Sequence, residues 1–339
     1  MSVASEARAE RTVMVCLIGE QPAPNLIPIL HYRPAVVVPV YSERTHSVAC
    51  NLEKTLESNS DYKPEIHRLE VEHPFSIELT RDKLRSLIES KGWLARAEAG
   101  SEQSEQLVFN LTGGTKPMSL AAYDLARELR DCKLVYFQTE DRRSLCYEYI
   151  YDPASDSFQP RPEPVEIDGV LTIDMYLKAH GHTAWREDPA PPEQQLATDR
   201  GRRFERHIAE ALKPYVDELR LSLRDQSHRT LEVDLMVRYK NQIAVIEVKQ
   251  GRSAKKLEGL SHLVMCTSQT YLGSYVGRIL VLGCETEDGI KQLADALGVP
   301  IVVLSSFTRG DTPEARISPE DQRALVNTVC KVLGRQDCL

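Results

Sequence analysis

Two hydrophobic periods alternate along the chain, and their order lays out the fold. Residues 12–18 (TVMVCLI) and 35–40 (AVVVPV) are short, β-branched runs bounded by Gly or Pro, which predicts buried strands. Between them, residues 25–31 leave room for one or two helical turns. Residues 44–58 place Val48, Leu52 and Leu56 on one helical face. Residues 65–71 alternate like a strand, and 80–90 read as a helix through Leu84, Leu87 and Ile88. Residues 107–111 (LVFNL) predict another strand. A glycine turn and a helix bearing Met118, Ala121, Leu125 and Leu129 follow at once. Residues 133–138 predict a further strand. Strands separated by helices imply a parallel, doubly wound sheet, so an α/β, Rossmann-like domain is expected over residues 1–150.

Residues 151–195 change character. They are rich in Pro, Asp, Glu and Ser around one helix or strand pair in VLTIDMYLKAHG, and read as a connector. A second α/β domain is expected over 196–339. It opens with a helix at 198–212 and continues with strands at 218–224, 231–238 and 243–249. A helix at 255–272, a strand at 278–282, a helix at 287–296 and a strand at 300–304 complete it, giving a mixed sheet flanked by helices.

Composition narrows the function. The 339 residues are 42% hydrophobic and 27% charged, which is ordinary globular usage. The net charge of −8 excludes a global basic field, so nucleic-acid contact would come from local patches. No run approaches the roughly 18 apolar residues of a membrane span. The start, MSVASEARAERTV, lacks the apolar core of a secretory signal. Eight cysteines without a Cys-x-x-Cys pair suggest free thiols in a reducing, cytoplasmic setting rather than disulfides or a zinc site. His180-Gly-His182 has no carboxylate or cysteine near it in sequence and reads as solvent-facing. Trp93 and Trp185 read as packing residues.

Candidate chemistry gathers in two segments. The first is LEVDLMVRYKNQIAVIEVKQ, two alternating strands joined by a turn over Tyr239–Gln242. Such a hairpin brings Asp234 near the level of Glu247, and the two-residue period puts Glu247 and Lys249 on one face. Two carboxylates alone would repel, whereas a hard divalent cation such as Mg²⁺ or Mn²⁺ removes that repulsion and takes oxygen ligands. A carboxylate and an ammonium in so apolar a strand need a partner or a metal. Upstream, the helix RGRRFERHIAEAL offers a third carboxylate, Glu205. Arg200, Arg202, Arg203 and Arg206 around it are either a solvated face or phosphate contacts, and Arg252, Lys255 and Lys256 lean towards nucleic-acid contact.

Helix Glu205, Val-Asp234-Leu and Ile-Glu247-Val-Lys249 together resemble the PD-(D/E)XK nuclease superfamily over roughly residues 198–305. The resemblance implies Asp234 and Glu247 as metal ligands, Lys249 as catalytic lysine and Glu205 as accessory acid. Val233 stands where that superfamily carries a proline.

The second segment is VFNLTGGTKPMSLAA. Thr112-Gly113-Gly114-Thr115-Lys116 follows a strand, and Pro117 opens the next helix, where its missing N–H costs little. The turn suits a phosphate at a helix N-terminus, or is merely a tight connection. It is neither a Walker A loop nor Gly-x-Gly-x-x-Gly. Asn110-x-Thr-Gly-Gly-Thr-Lys-x-Met before an alanine-rich helix resembles the CARF domain of CRISPR-associated effectors, which binds cyclic oligoadenylates across a homodimer interface. Gln21 and Asn25 after the first strand, and Ser42 and Thr45 after the second, fit the same family. All three segments would meet at the carboxyl edge of a parallel sheet.

The resemblance implies Gln21, Asn25, Thr45, Thr112, Gly113, Gly114, Thr115 and Lys116 as ligand contacts. Tyr41, Gln138, Thr139 and Arg142 are secondary candidates. Both halves together resemble the short CARF–nuclease effectors of type III CRISPR systems. That likeness implies a homodimer activated by cyclic tetra-adenylate that cuts DNA, RNA or both with Mn²⁺ or Mg²⁺. The alternatives are a ligand-independent restriction- or repair-type nuclease and a non-enzymatic cyclic-nucleotide sensor.

Overall fold

The structure is a computed structural model that describes residues 11–93, 105–187, 199–226, 232–309 and 316–338. Two compact units are present; apart from Asp141–Arg143, the division falls between Val170 and Leu171.

The first unit runs β1 (Arg11–Leu17), α1 (Ala23–Tyr32), β2 (Val36–Tyr41), α2 (His46–Glu57), β3 (Glu65–Ile66), β4 (Leu69–Glu70), α3 (Ile77–Ser90), β5 (Glu105–Asn110), α4 (Lys116–Leu129), β6 (Cys132–Glu140), β7 (Arg143–Asp152), β8 (Ser157–Pro160) and β9 (Val165–Glu166). The sheet order is β3-β2-β1-β5-β6-β7-β8, with β4 also on β2 and β9 on β7. β2, β1, β5 and β6 are parallel. Val13 to Leu17 are all buried, because helices cover both sheet faces and the strand therefore reads as one apolar run.

Three details depart from the sequence expectation. α1 spans ten residues and continues through Pro28, supported by burial of Ala23 and Asn25 to Leu30. The segment 65–71 splits into two two-residue strands. Residues 151–166, expected in the connector, carry the end of β7 and strands β8 and β9, each of which pairs antiparallel with β7 in the first sheet. Phe158 anchors that edge by inserting into the core beside Leu125 and Ala126.

The second unit runs α5 (Ile173–Ala179), β10 (Trp185–Glu187), α6 (Arg200–Leu212), β11 (Glu218–Asp225), β12 (Glu232–Tyr239), β13 (Gln242–Lys249), α7 (Glu258–Cys266), β14 (Gly277–Leu282), α8 (Asp288–Ala296), β15 (Ile301–Val303), α9 (Ser305–Arg309) and α10 (Pro319–Leu333). Its sheet order is β10 to β15 in sequence. Pairings are antiparallel up to β13 and parallel beyond it. Phe204, Ile208 and Leu212 of α6 and Leu325, Val326 and Val329 of α10 share one core with Ala244, Ile246 and Val248 of β13. α10 was not expected from the sequence. Ser318 caps it, accepting from Asp321 N at 3.1 Å. The helix expected at 255–272 is confined to α7, preceded by a 3-10 turn at Gly251–Lys255. Residues 171–187 of the expected connector supply α5 and the edge strand β10. The proline-rich run 188–198 and Leu231 lie outside the described residues.

One cysteine expectation is corrected. Gly334, at φ 74°, ends α10 and turns the chain back, so that Cys338 bonds Cys330 in a disulfide. The other six cysteines are free.

Candidate functional site

The first candidate site lies on the carboxyl edge of the parallel sheet. Parallel pairing of β1 with β2 and β5 sends the segments after these strands to the same edge. The turn after β5 packs directly on the end of β1. A Cβ on Gly113 would lie 2.0 Å from Leu17 O and 2.8 Å from Gly19 N, so only glycine fits there. Gly114 adopts φ +72° and is exposed. Thr115 caps α4 by accepting from Met118 N at 3.3 Å, and its hydroxyl donates to Pro74 O. Thr112 Oγ1 donates to Asn110 Oδ1 at 2.6 Å and accepts from Phe137 N at 2.7 Å. Lys116 is exposed and has no ion-pair partner among the described residues.

Gln21 and Asn25, which the sequence treated alike, differ. Asn25 is 1% exposed. Its Nδ2 donates to Leu17 O at 2.9 Å, and its Oδ1 accepts from Asn110 Nδ2 at 3.0 Å. It ties the ends of β1 and β5 together and has no exposed face to offer. Gln21, in contrast, buries both amide atoms without a partner among the described residues. Thr45 is buried in a reciprocal cap, accepting from Ser42 N at 3.1 Å. Tyr41 is buried against the His46 ring. In β6, Gln138 is exposed, while Thr139 buries a hydroxyl that has no partner among the described residues.

The second candidate site sits at the end of the β12–β13 hairpin. Tyr239 pairs with Gln242, so the turn is the two residues Lys240 and Asn241, with Lys240 at φ 51°. The ladder runs back to Leu235 opposite Ile246, which sets Asp234 level with Glu247. Asp234 Oδ2 accepts from Val248 N at 2.7 Å. Lys249 Nζ lies 2.5 Å from Glu247 Oε1 and 3.6 Å from Asp234 Oδ2. Burial works against the charge of Lys249, but Asp234 and Glu247 outweigh it and hold its pKa above the ordinary lysine value. Burial, reinforced by Glu247, holds the Asp234 carboxyl above the ordinary aspartate range. Glu205, on α6, is pushed up to about 8 by burial and then by the charges of Asp234 and Glu232.

Sequence reasoning missed a fifth member. His262, on α7, meets Glu247 Oε1 through Nδ1 at 3.0 Å and Cys266 Sγ through Nε2 at 3.5 Å. Hydrogen bonds to Cys266 and Glu247 push its pKa up to about 10. The protein contacts of both carboxylates thus fall on Glu247 Oε1 and Asp234 Oδ2, leaving Glu247 Oε2 and Asp234 Oδ1 free among the described residues. Two free carboxylate oxygens suit a hard divalent cation that keeps its other positions for water and phosphate. Among the described residues, no group of three or more His, Cys, Asp or Glu is disposed to hold a metal, so an all-protein cage does not fit.

The two basic clusters also separate. Arg206 is tied to Glu210 at 3.1 Å, and Arg202 lies 3.7 Å from Asp199. Arg252, Lys255 and Lys256 are exposed and lack ion-pair partners among the described residues. His180 and His182 are not solvent-facing as expected. The His180 ring packs on Tyr176, and burial lowers its pKa to about 4; His182 stacks on Tyr271. No described helix is long and apolar enough to cross a membrane.

Comparison with known proteins places these sites in context. Residues 13–161 match the family model of the Card1 CARF domain. The structure resembles Can2 from Sulfobacillus thermosulfidooxidans, solved with cyclic tetra-adenylate, at 16% identity and a TM-score of 0.68, covering 95% of this chain and 99% of that one. It resembles protein VC1899 from Vibrio cholerae at 14% identity and a TM-score of 0.64, covering 96% and 98%. A type III CRISPR defence DNA nuclease activated by cyclic oligoadenylate matches at 16% identity and a TM-score of 0.51, covering 91% of this chain and 53% of that one. No curated protein matches the chain. The first unit is thus a Rossmann-like domain matching the CARF family model, in a chain that shares its α/β fold with Can2 and VC1899.

Proposed function

We propose that this chain is a cyclic-oligoadenylate-activated, metal-dependent nuclease of CRISPR defence. The observation that carries the reading is one chain joining a CARF-matching unit to a buried Asp234–Glu247–Lys249 cluster at a hairpin end. In the first unit, Gln21, Gly113, Gly114, Thr115 and Lys116 would contact the activator. Asn25, Thr112 and Thr45 hold the loops that carry those contacts. Two copies of the chain would share one cyclic tetra-adenylate, as the CARF resemblance implies. Binding activates only if the ligand prefers the cutting-competent arrangement.

In the second unit, Asp234 and Glu247 would hold Mn²⁺ or Mg²⁺. A bound divalent cation polarises a phosphoryl oxygen and lowers the pKa of water. Lys249, already charged, would orient the attacking water or meet charge developing on the phosphate. Glu205, with its raised pKa, would carry a proton near neutral pH as accessory acid. Arg252, Lys255 and Lys256 would contact the nucleic-acid backbone.

The test is cleavage of labelled single-stranded RNA, single-stranded DNA and supercoiled plasmid with Mn²⁺, with and without cyclic tetra-adenylate, alongside Glu247→Ala. Ligand-dependent cutting that the variant abolishes supports the proposal. Cutting with metal alone points to a restriction- or repair-type nuclease. Tight ligand binding without cutting leaves a sensor.

A further inference from the structure

The hairpin supplies Asp234, Glu247 and Lys249, but α7 supplies a contact that local sequence does not reveal. His262 sits 15 positions after Glu247 and on a different element. α7 packs along β13, β14 and β12, which fixes the backbone from which His262 reaches the carboxylate. Gly259, on the same helix, is buried against the Lys249 stem; a Cβ there would lie 2.8 Å from Lys249 Cγ. The helix therefore bears on both residues through two consecutive turns.

We propose that His262 is a positioning residue for the metal-binding carboxylate Glu247. It occupies Oε1 from the α7 side while Lys249 occupies the same oxygen from the strand side, so that Oε2 and Asp234 Oδ1 are the carboxylate oxygens left for a metal among the described residues. The inference rests on the reading that Asp234 and Glu247 hold the metal. A carboxylate on a single χ chain has several rotamers, and two donors on one oxygen restrict it to the one that presents the other oxygen. Cys266, one turn along α7, contacts His262 Nε2 and holds the ring so that Nδ1 faces Glu247. Partners that orient a ligand in this way are worth roughly 10–100-fold in metal affinity.

The experiment measures Mn²⁺ binding to the full chain by loss of the free-Mn²⁺ electron paramagnetic signal, without nucleic acid or cyclic nucleotide. The expected result for His262→Leu is a rise in Kd of roughly 10-fold or more. His262→Asn, whose amide nitrogen takes the place of Nδ1, should stay within about 3-fold of the wild type. His262→Gln, whose amide takes the place of Nε2, should weaken binding like Leu. The Asn and Gln pair decides the matter should Leu fail to fold. A purely structural role would move all three variants together or none, and either pattern overturns the proposal. A wild-type chain that binds no Mn²⁺ overturns the metal reading itself, and the proposal with it. Wild-type binding unchanged in the Gln and Leu variants overturns the positioning role alone.

Discussion

Lys249→Met keeps the stem of the side chain to within one atom and removes its charge from between two carboxylates. Glu247 is 1% exposed and Asp234 8%, so neither can regain full hydration when the ammonium goes. Removing one member of a buried ion pair costs about 3–5 kcal/mol. His262 still faces Glu247, so the lower end, about 3 kcal/mol, is expected. With an m-value of about 2 kcal/mol/M, the urea midpoint should fall by roughly 1.5 M.

The chain has two tryptophans, and Trp185 lies in the second unit. A Trp93→Phe background therefore lets Trp185 fluorescence report that unit alone. Measurements are made in EDTA across pH. Asp234 already has a raised folded pKa, and losing Lys249 raises it further. A carboxyl with a raised folded pKa destabilises the fold above that pKa, and the cost disappears as pH falls below the unfolded value. The gap between wild type and variant should thus be widest near about pH 8 and close towards about pH 4, the ordinary aspartate pKa. An equal gap at both ends would mean that lost packing of the lysine stem, not charge, sets the cost. An unchanged midpoint at about pH 8 would refute the electrostatic account outright.

Two further predictions concern the first unit. Gly113→Ala places a methyl 2.0 Å from Leu17 O, with backbone on both sides, so the turn must move by about an ångström or more. Cyclic tetra-adenylate affinity should fall about 100-fold or more, about 2.7 kcal/mol, with the Trp185 transition unchanged; retained affinity would remove the turn from the binding site. Gln21→Leu removes a buried amide that has no partner among the described residues, whose burial costs about 1–3 kcal/mol. In a Trp185→Phe background, Trp93 fluorescence should show a more stable first unit while activator affinity falls. A destabilised variant would show that Gln21 serves the fold instead.

Much of the architecture was legible because it is encoded locally. The β-branched runs of β1 and β2 declare buried strands within six or seven residues. The hairpin carrying Asp234 and Glu247 is a single local unit, so its turn sets their level and its alternation puts Lys249 on the face of Glu247. The short strands β8 and β9 were not legible, because polar residues at a sheet margin resemble a linker, and β7 was missed although it buries Leu145 and Cys146. α10 was missed as well, although its cap and apolar stripe are present in sequence.

Residue roles divide along the same line. The sequence by itself determined which chemistries the chain holds: a carboxylate pair with lysine on one hairpin, and a glycine turn between a strand and a helix. Only the tertiary structure decided that Asn25 is spent on joining β1 to β5 while Gln21, four residues away, has no amide partner among the described residues. It alone brought His262 to Glu247, and Cys338 back to Cys330. The physical reason is range. Periodicity and turn chemistry act over a few residues, whereas a side chain's hydrogen-bond partner depends on packing between elements that the local pattern does not specify.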